Sequence, residues 1–559
     1  MERIFKFFGK EYPNINQAAL LLGSFALLSQ ILGLFRDRLI TYFIGPSQTL
    51  DIYYAAFRVP DFIFISIASL ASITVLIPFV MAKMPDGKMT KEAGKFLNDI
   101  FTVFFSVIAL VSLFIFFLMP YLVSFVAPGF GSEAQAKVVE MSRIMLLSPI
   151  LLGLSNLFGT VTQLFRKFFM YALSPIFYNL GIIAGIAFLY PYMGIYGLAL
   201  GVVLGAFFHF LTQAISSKYS GFSPALSLSI DFQDVKKAVL ISLPRTIGLS
   251  MNNLALISII SLASFLKSGS ISVFNLSLNL QSVPLYIIGI SYSVAAFPTL
   301  VKSFTLGATE EFKNHLKKAA RAIVFWSIPI TFIFIVLRAQ IVRVILGSPT
   351  FSWENTRLVA ASLAIFSVSI LAQGMIALMS RAYYAKGDTR RPLVINLFCS
   401  IVIVILSYIF LQLFEFSSFF RYFIESILKV SDIPGTEVLM LPLAYSLGTI
   451  LNFLIHWYMA KREFMKNESF ISKTFFQSLG ASFFLGFACY ASLNALSPIF
   501  GTYTFCGIFL QGFLSAVFGI FVGVLVLSLL KSEELEDLKN TLGTRFWRAK
   551  VVPPSQEGL

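Results

Sequence analysis

Charge is scarce in this 559-residue chain: Asp, Glu, Lys and Arg make up 12% of it, 57% is hydrophobic, and mean hydropathy is +0.83. A soluble fold of this size has too little interior to hide that much apolar surface, so a polytopic membrane protein is expected. Acidic residues are the scarcer sign, 27 against 42 Lys and Arg, for a net charge of +15. A nucleic-acid binder would gather those bases into patches. Here they are scattered through short loops between apolar runs, which is a topology signal and gives no nucleic-acid partner. Cysteine is nearly absent, and Cys399, Cys489 and Cys506 lie within apolar runs without metal-ligand spacing; they read as small core hydrophobes. The three histidines, His209, His315 and His456, are far apart with no carboxylate at ligand spacing, and read as interfacial or packing residues. No glycine-rich phosphate loop precedes a Lys-Ser/Thr pair, so neither an ATPase nor a cofactor is expected, and no enzymatic constellation appears. The N-terminal stretch lacks a signal-peptide apolar core and a small-residue cleavage site, so the first span is expected to direct insertion.

What is present is a long series of apolar runs. About 20 apolar residues cross a bilayer, and that rule gives about fourteen transmembrane helices in an all-α fold. The expected spans are 15–43, 52–82, 97–125, 140–165, 171–190, 194–216, 238–266, 270–302, 319–346, 356–384, 392–414, 439–460, 474–496 and 503–530. With the N-terminus placed in the cytoplasm, the inside segments carry 30 Lys and Arg and the outside segments eight. That alternating bias puts both termini in the cytoplasm, and the expected location is the inner (cell) membrane, crossed many times. The remaining four, Arg36, Arg38, Arg58 and Arg245, lie within or at the ends of spans.

The chain repeats itself. Val59–Pro60, running on to Pro78, recurs as Val283–Pro284 running to Pro298, and the turn LFRKFFMYALSP ending at Pro175 has a counterpart in YYAKGDTRRP ending at Pro392. Both offsets are near 220 residues, or six spans, which predicts a parallel repeat about an axis along the membrane normal. The expected organisation is an N-lobe over 1–217 and a cytoplasmic linker over 218–237, then a C-lobe over 238–465 with an outer-side insert at 415–438. Two appended helices over 466–530 and a cytoplasmic tail over 531–559 complete it. The insert carries Phe416, Phe419, Phe420, Tyr422, Phe423 and Ile424 and reads as an interfacial amphipathic helix.

The most informative stretch is 29–61, SQILGLFRDRLITYFIGPSQTLDIYYAAFRVPD, two apolar segments folded across Gly45–Pro46. Arg36, Asp37 and Arg38 sit near the end of the first; Arg58 and Asp61 sit early in the second. An ionisable group inside a membrane segment costs at least about 2.5 kcal/mol, so such groups are kept near an interface, paired, or facing a polar cavity. A second, uncharged layer includes Asn156, Gln163, Asn179, Asn252, Asn253, Asn275, Asn279, Gln281, Gln373 and Asn396; interhelical hydrogen bonding accounts for most of it.

The runs LLSQILGLFRD and LDIYYAAFRVPD resemble the start of the MurJ/MviN lipid II flippases of the multidrug/oligosaccharidyl-lipid/polysaccharide exporter superfamily. The turn AYYAKGDTRRP (Ala382 to Pro392), SFLKSGSIS and FVAPGF are similar in place. The resemblance covers about residues 18–530 and keeps Arg36, Asp37, Asp51 and Arg58 of the family pattern. It departs at Gln30, Phe64, Ser69, Leu278 and Asn279, where the family carries charge, and at Asp61, where it has asparagine. Arg245, beside Pro244, is a cation the pattern does not require, and a candidate substitute for a lost one.

The resemblance implies an alternating-access flippase, not an enzyme, that moves an undecaprenyl-diphosphate-linked peptidoglycan precursor from the inner to the outer leaflet. A pyrophosphate crossing a low-dielectric interior requires cationic donors, for which Arg36, Arg58 and Arg245 are the candidates, with Asp37 and Asp61 to orient them. Asp51, Asn279 and Gln281 complete the expected cavity set. Pro60, Pro78, Pro284 and Pro298 are candidate hinges. The expected partners are the lipid-linked glycan precursor and membrane lipids around a monomer, with a groove for the lipid tail on the last two helices. Membrane potential, a monovalent-ion gradient and downstream consumption stay open as driving forces. The alternatives are a drug/cation antiporter or another lipid-linked oligosaccharide flippase of the superfamily, and a non-transporting envelope scaffold.

Overall fold

The computed structural model describes residues 15–68, 76, 79–81, 83–84, 89–165, 167–227, 229–465, 471–501 and 504–539. Ser69, the hinge candidate Pro78 and the tail beyond 539 lie outside the described residues, as does the side chain of Arg245. Every regular element among the described residues is helical, as expected of an all-α membrane protein. Eleven helices among them are long and apolar enough to cross a membrane, and twelve if the pair Trp353–Ser367 and Ile370–Ala385, bent by 42°, makes one span.

The two expected spans outside that set are the first and the second. The first is one unbroken helix, Ile15–Phe43 (α1), with Arg36, Asp37 and Arg38 clustered near its end. The second is divided into Gln48–Ala56 (α2), Arg58–Ile63 (α3) and a π-helical turn, Phe64–Ala68, and the rest of it is only partly described. Between α1 and α2 the chain turns at Gly45, whose φ of +65° suits glycine. The Ser47 side chain then accepts from the Leu50 amide and starts α2.

The remaining helices follow in order: Lys91–Val126 (α4), Ser132–Met145 (α5), Leu147–Leu164 (α6), Phe168–Ala184 (α7), Ile195–Tyr219 (α8), Phe232–Ala263 (α9) and Ser270–Pro284 (α10). After them come Ser291–Thr305 (α11), Thr309–Val336 (α12), Arg338–Leu346 (α13), Trp353–Ser367 (α14), Ile370–Ala385 (α15) and Arg390–Phe416 (α16). Ser418–Leu428 (α17), Met440–Phe464 (α18), Ser472–Phe500 (α19) and Phe505–Leu529 (α20) complete the chain.

By packing, the chain divides into two compact units. The first holds the residues up to Val283 with Ile345–Phe366 and Gly387–Ile455. Its tightest seam joins α7 and α8 through small residues. A Cβ built on Gly181 would stand 2.2 Å from the Gly205 Cα, and one on Gly185 would stand 2.3 Å from the Gly201 Cα. Side-chain-free backbones approaching this closely are how helices associate where no hydrophobic force separates protein from lipid.

The second unit holds Pro284–Val344, Ser367–Lys386 and His456 onward. There α11 continues from a π-helical turn, Leu285–Ile290, and Gly289 meets Gly374 of α15 in a similar way, a Cβ on Gly289 standing 2.6 Å from the Gly374 Cα. The pair α19 and α20 packs with Gly519 and Gly523 against Leu485 and Cys489. The helical stretch 533–539 returns to α12, where Arg321 pairs with Glu533 and Glu534, and Lys473 also holds Glu533.

Two of the four hinge candidates show the same local distortion. Pro60 precedes the π-helical turn Phe64–Ala68, and Pro284 directly precedes Leu285–Ile290. A proline removes the bond to the carbonyl four residues before it, Ala56 O for Pro60 and Leu280 O for Pro284, so the ladder is already interrupted just before each π-helical turn. Pro298 lies inside the unbroken helix α11.

Candidate functional site: a buried polar layer

The polar residues of 29–61 meet those of α7 and α10 entirely within the first unit. Arg36 donates from Nε and Nη2 to Asp37 Oδ1, at 3.0 and 2.8 Å. The side chain of Arg36 is 25% exposed and that of Asp37 only 5%. The other Asp37 oxygen, Oδ2, accepts from Asn279 Nδ2 at 3.1 Å. Arg36 also reaches Asn179 Oδ1 at 3.4 Å, and the Asn179 amide donates to Pro175 O and Ser29 Oγ at 3.1 and 3.2 Å. The result is a chain of bonds in which Asp37 neutralises Arg36 and two asparagines fix both.

Arg58 is placed differently. Its Nη2 donates to Asn275 Oδ1, and Asn275 Nδ2 donates to Ile271 O at 2.8 Å, which aims the amide oxygen at the guanidinium. Asn275 and Asn279 are four residues apart, hence on one face of α10. The Arg58 Nε is buried with no hydrogen-bond partner among the described residues. No direct ion pair or hydrogen bond holds the Asp61 side chain among them either, although Arg58 lies within its electrostatic range. Arg58 therefore makes its direct bond to a neutral amide, and the Asp61 carboxylate acts on its charge only at longer electrostatic range.

Asp51 is fully committed. Its Oδ2 accepts from the Gly269 amide at 2.6 Å, and its Oδ1 accepts from Ser272 N at 2.7 Å and Ser272 Oγ at 2.5 Å. The two amides are orphan donors at the start of α10, so Asp51 caps that helix from across the structure and favours its positive end. Nearby, Thr41 Oγ1 donates to Leu346 O at 2.9 Å and Ser348 Oγ donates to Thr41 O at 2.9 Å. Arg38 Nη1 reaches Ile345 O at 3.4 Å.

Of the expected cavity set, Arg36, Asp37 and Asn279 are brought together, and Arg58 joins the neighbouring turn of α10. Gln281 is not on their face of α10. It is fully buried, and neither its Oε1 nor its Nε2 has a partner among the described residues. Arg245 lies within α9, its side chain outside the described residues. The aromatic members, Tyr53, Tyr54 and Tyr178, were not anticipated; all three lie within electrostatic range of Arg36. Two adjacent tyrosines beside a charged run were the available signal. Among the described residues, no group of three or more His, Cys, Asp or Glu could hold a metal ion. A cavity of about 940 Å3 lies in the second unit, between Tyr292 and Trp326 on one side and Lys318 and Glu534 on the other. It shares no residue with the polar layer.

The fold is that of a membrane-transporter class. A solved structure of the lipid II flippase MurJ in an inward closed conformation matches 93% of this chain and 100% of its own, with a TM-score of 0.72 at 21% identity. An inward-facing multidrug resistance transporter of the MATE family, in the MOP superfamily, matches 80% of this chain and 98% of its own, with a TM-score of 0.63 at 13% identity. The family model described as "Lipid II flippase MurJ" matches residues 40–514, and the chain belongs to that family. Among curated relatives, the lipid II flippase MurJ of Burkholderia cenocepacia is 26% identical over 408 residues, 72% of this chain and 79% of that one. The probable lipid II flippase MurJ of Buchnera aphidicola is 25% identical over 474 residues, 82% of this chain and 85% of that one.

Proposed function

We propose that this chain flips lipid II, the undecaprenyl-diphosphate-linked peptidoglycan precursor, from the inner to the outer leaflet by alternating access. The observation that carries the reading is Arg58, a half-buried cation beside an arginine already neutralised by Asp37. Its hydrogen bond goes to the neutral amide of Asn275, and among the described residues no carboxylate touches it directly, Asp61 acting on it at longer range. A diphosphate is a strong acceptor, and a planar guanidinium meets its oxygens two at a time. Family membership supplies the lipid II substrate class. In this reading the chain is a transporter in the inner membrane with both termini cytoplasmic. Six-helix lobes over 1–217 and 238–465 rock about the π-helical segments that follow Pro60 and Pro284, and a groove on α19 and α20 takes the lipid tail. The Asp51 clamp on α10 then lies toward the outer face, where it fastens that side while the headgroup loads from inside.

The test is exposure of lipid II on the outer leaflet in cells depleted of their own flippase and supplied with this chain. Rescue by the wild type and loss with Arg58→Ala, at equal membrane levels, is the expected result. A stable wild-type protein that gives no rescue sinks the lipid II assignment. A second reading, a drug/cation antiporter, has one observation in its favour: the Asp61 carboxylate makes no direct ion pair or side-chain hydrogen bond among the described residues, Arg58 reaching it only at longer range. It requires drug efflux that disappears in Asp61→Asn.

A further inference from the structure

The helix α17 carries an apolar face that the transport reading does not use. Phe419 is 82% exposed, Phe423 53% and Ile427 60%. They recur every four residues and so form one stripe, with the Phe419 and Phe423 rings stacked at 6.3 Å. The opposite face is bolted down. Glu425 is 1% exposed, and its Oε1 accepts from Thr436 Oγ1 at 2.6 Å and Arg421 Nε at 3.1 Å. The loop that follows is held in turn, with Val430 and Ile433 buried and Arg357 bonded to both oxygens of Asp432 at 2.7 Å. The exposed stripe is therefore held in place by the fold.

Three observations name what covers it. First, α17 is joined by the single residue Ser417 to α16, one of the membrane-crossing helices, so it begins where a span ends. Second, its 11 residues cover about 16 Å, too short to cross a bilayer. Third, the stripe continues the exposed apolar surface of α16: Ile401, Ile405, Tyr408, Ile409 and Phe416 are all exposed, and Phe410 contacts Phe420 across the bend. A lipid-facing surface that turns at the end of a span runs along the headgroup–acyl boundary, where aromatic rings are favoured.

We propose that α17 lies in the plane of the membrane with Phe419, Phe423 and Ile427 inserted at the headgroup–acyl boundary of one leaflet, and that the Glu425 clamp fixes it at that depth. The test uses the full chain in phosphatidylcholine/phosphatidylglycerol proteoliposomes. Cys506, the exposed cysteine, is changed to serine, and single cysteines carry an environment-sensitive fluorophore at Phe419→Cys, Phe423→Cys or Ser418→Cys. Ser418 is exposed on the other side of the helix and serves as the aqueous reference. Lipids spin-labelled near the headgroup should quench the 419 and 423 labels about three-fold more than the 418 label, with the order reversed for aqueous iodide. If one variant does not yield folded protein, Ile427→Cys gives the same reading. Iodide quenching at 419 and 423 equal to that at 418 overturns the proposal. So does protection from both quenchers, the sign of a second protein chain on this face.

Discussion

Arg36 and Arg58 stand in the same polar layer, 22 residues apart in sequence, and the fold treats them oppositely. Arg36 has a carboxylate at 2.8 Å that an asparagine of α10 supports from its other oxygen. Arg58 has an asparagine of the same helix and no carboxylate in direct contact, Asp61 acting only at longer range, and its Nε has no hydrogen-bond partner among the described residues. An arginine neutralised by its neighbour is settled by folding alone. One bonded directly to a neutral amide, with its carboxylate at longer range, is less fully compensated, and in a low-dielectric interior that is costly unless an anion shares the site for part of the cycle. The difference separates a cation that holds the layer together from one available to a substrate.

The comparison is broken or sharpened first by exchanging the two arginines' losses. Arg58→Ala should lower lipid II exposure at least about tenfold while leaving thermal unfolding nearly unchanged, because it removes a charge-assisted contact to the headgroup. Arg36→Ala should cost more stability than Arg58→Ala and less transport at equal expression. Equal transport loss in both variants would dissolve the distinction.

Next in size is Asp51. It accepts three hydrogen bonds at the start of α10, which carries both asparagines. Asp51→Ala should destabilise the purified protein by about 3 kcal/mol, the upper end for a hydrogen-bonded charged group. The loss should read as a lower unfolding temperature in detergent and as faster hydrogen exchange at 269–272. Asp37→Asn should cost less, about 1.5 kcal/mol, since an amide oxygen still accepts from Arg36 while the charge is lost. Adding Arg36→Gln should recover part of that, because the pair is coupled.

The sequence made the outline of this layer legible but not its wiring. Arg36, Asp37, Arg58 and Asn279 announce themselves because charge and amide inside apolar runs have few permitted fates. The turn at Gly45 and the distortions after Pro60 and Pro284 follow from backbone chemistry at single residues. The commitment of Asp51 to α10 does not, since its donors are 218 and 221 residues away. Nor could the pairing of Asn275 with Arg58 be chosen from ten candidate amides. Rotating α10 by one residue's 100° would present a different side chain, and sequence periodicity does not fix helix rotation that finely. The tyrosines were harder to read for another reason: in so aromatic a chain, the adjacency of Tyr53 and Tyr54 to the charged run was a weak signal, and Tyr178 carried none.

The smallest expected effect tests the same contrast at the surface. Glu533, 54% exposed, is paired with Lys473 and Arg321, which pull its carboxyl from the ordinary 4.5 down to about 2. A depressed carboxylate stabilises the folded form fully above its unfolded value, and that contribution is lost as pH falls toward the folded one. The hold of 533–539 on α12 should therefore be constant above about pH 4.5 and weaken between there and pH 2. Hydrogen exchange of 533–539, corrected for its intrinsic pH dependence, should rise across that window in the wild type. In Arg321→Gln it should rise over a narrower window, because Lys473 remains. The change should be small, since exposed ion pairs are screened and contribute little. An exchange rate as sensitive to Glu533→Gln as unfolding is to Asp37→Asn would mean that burial is not what separates these carboxylates.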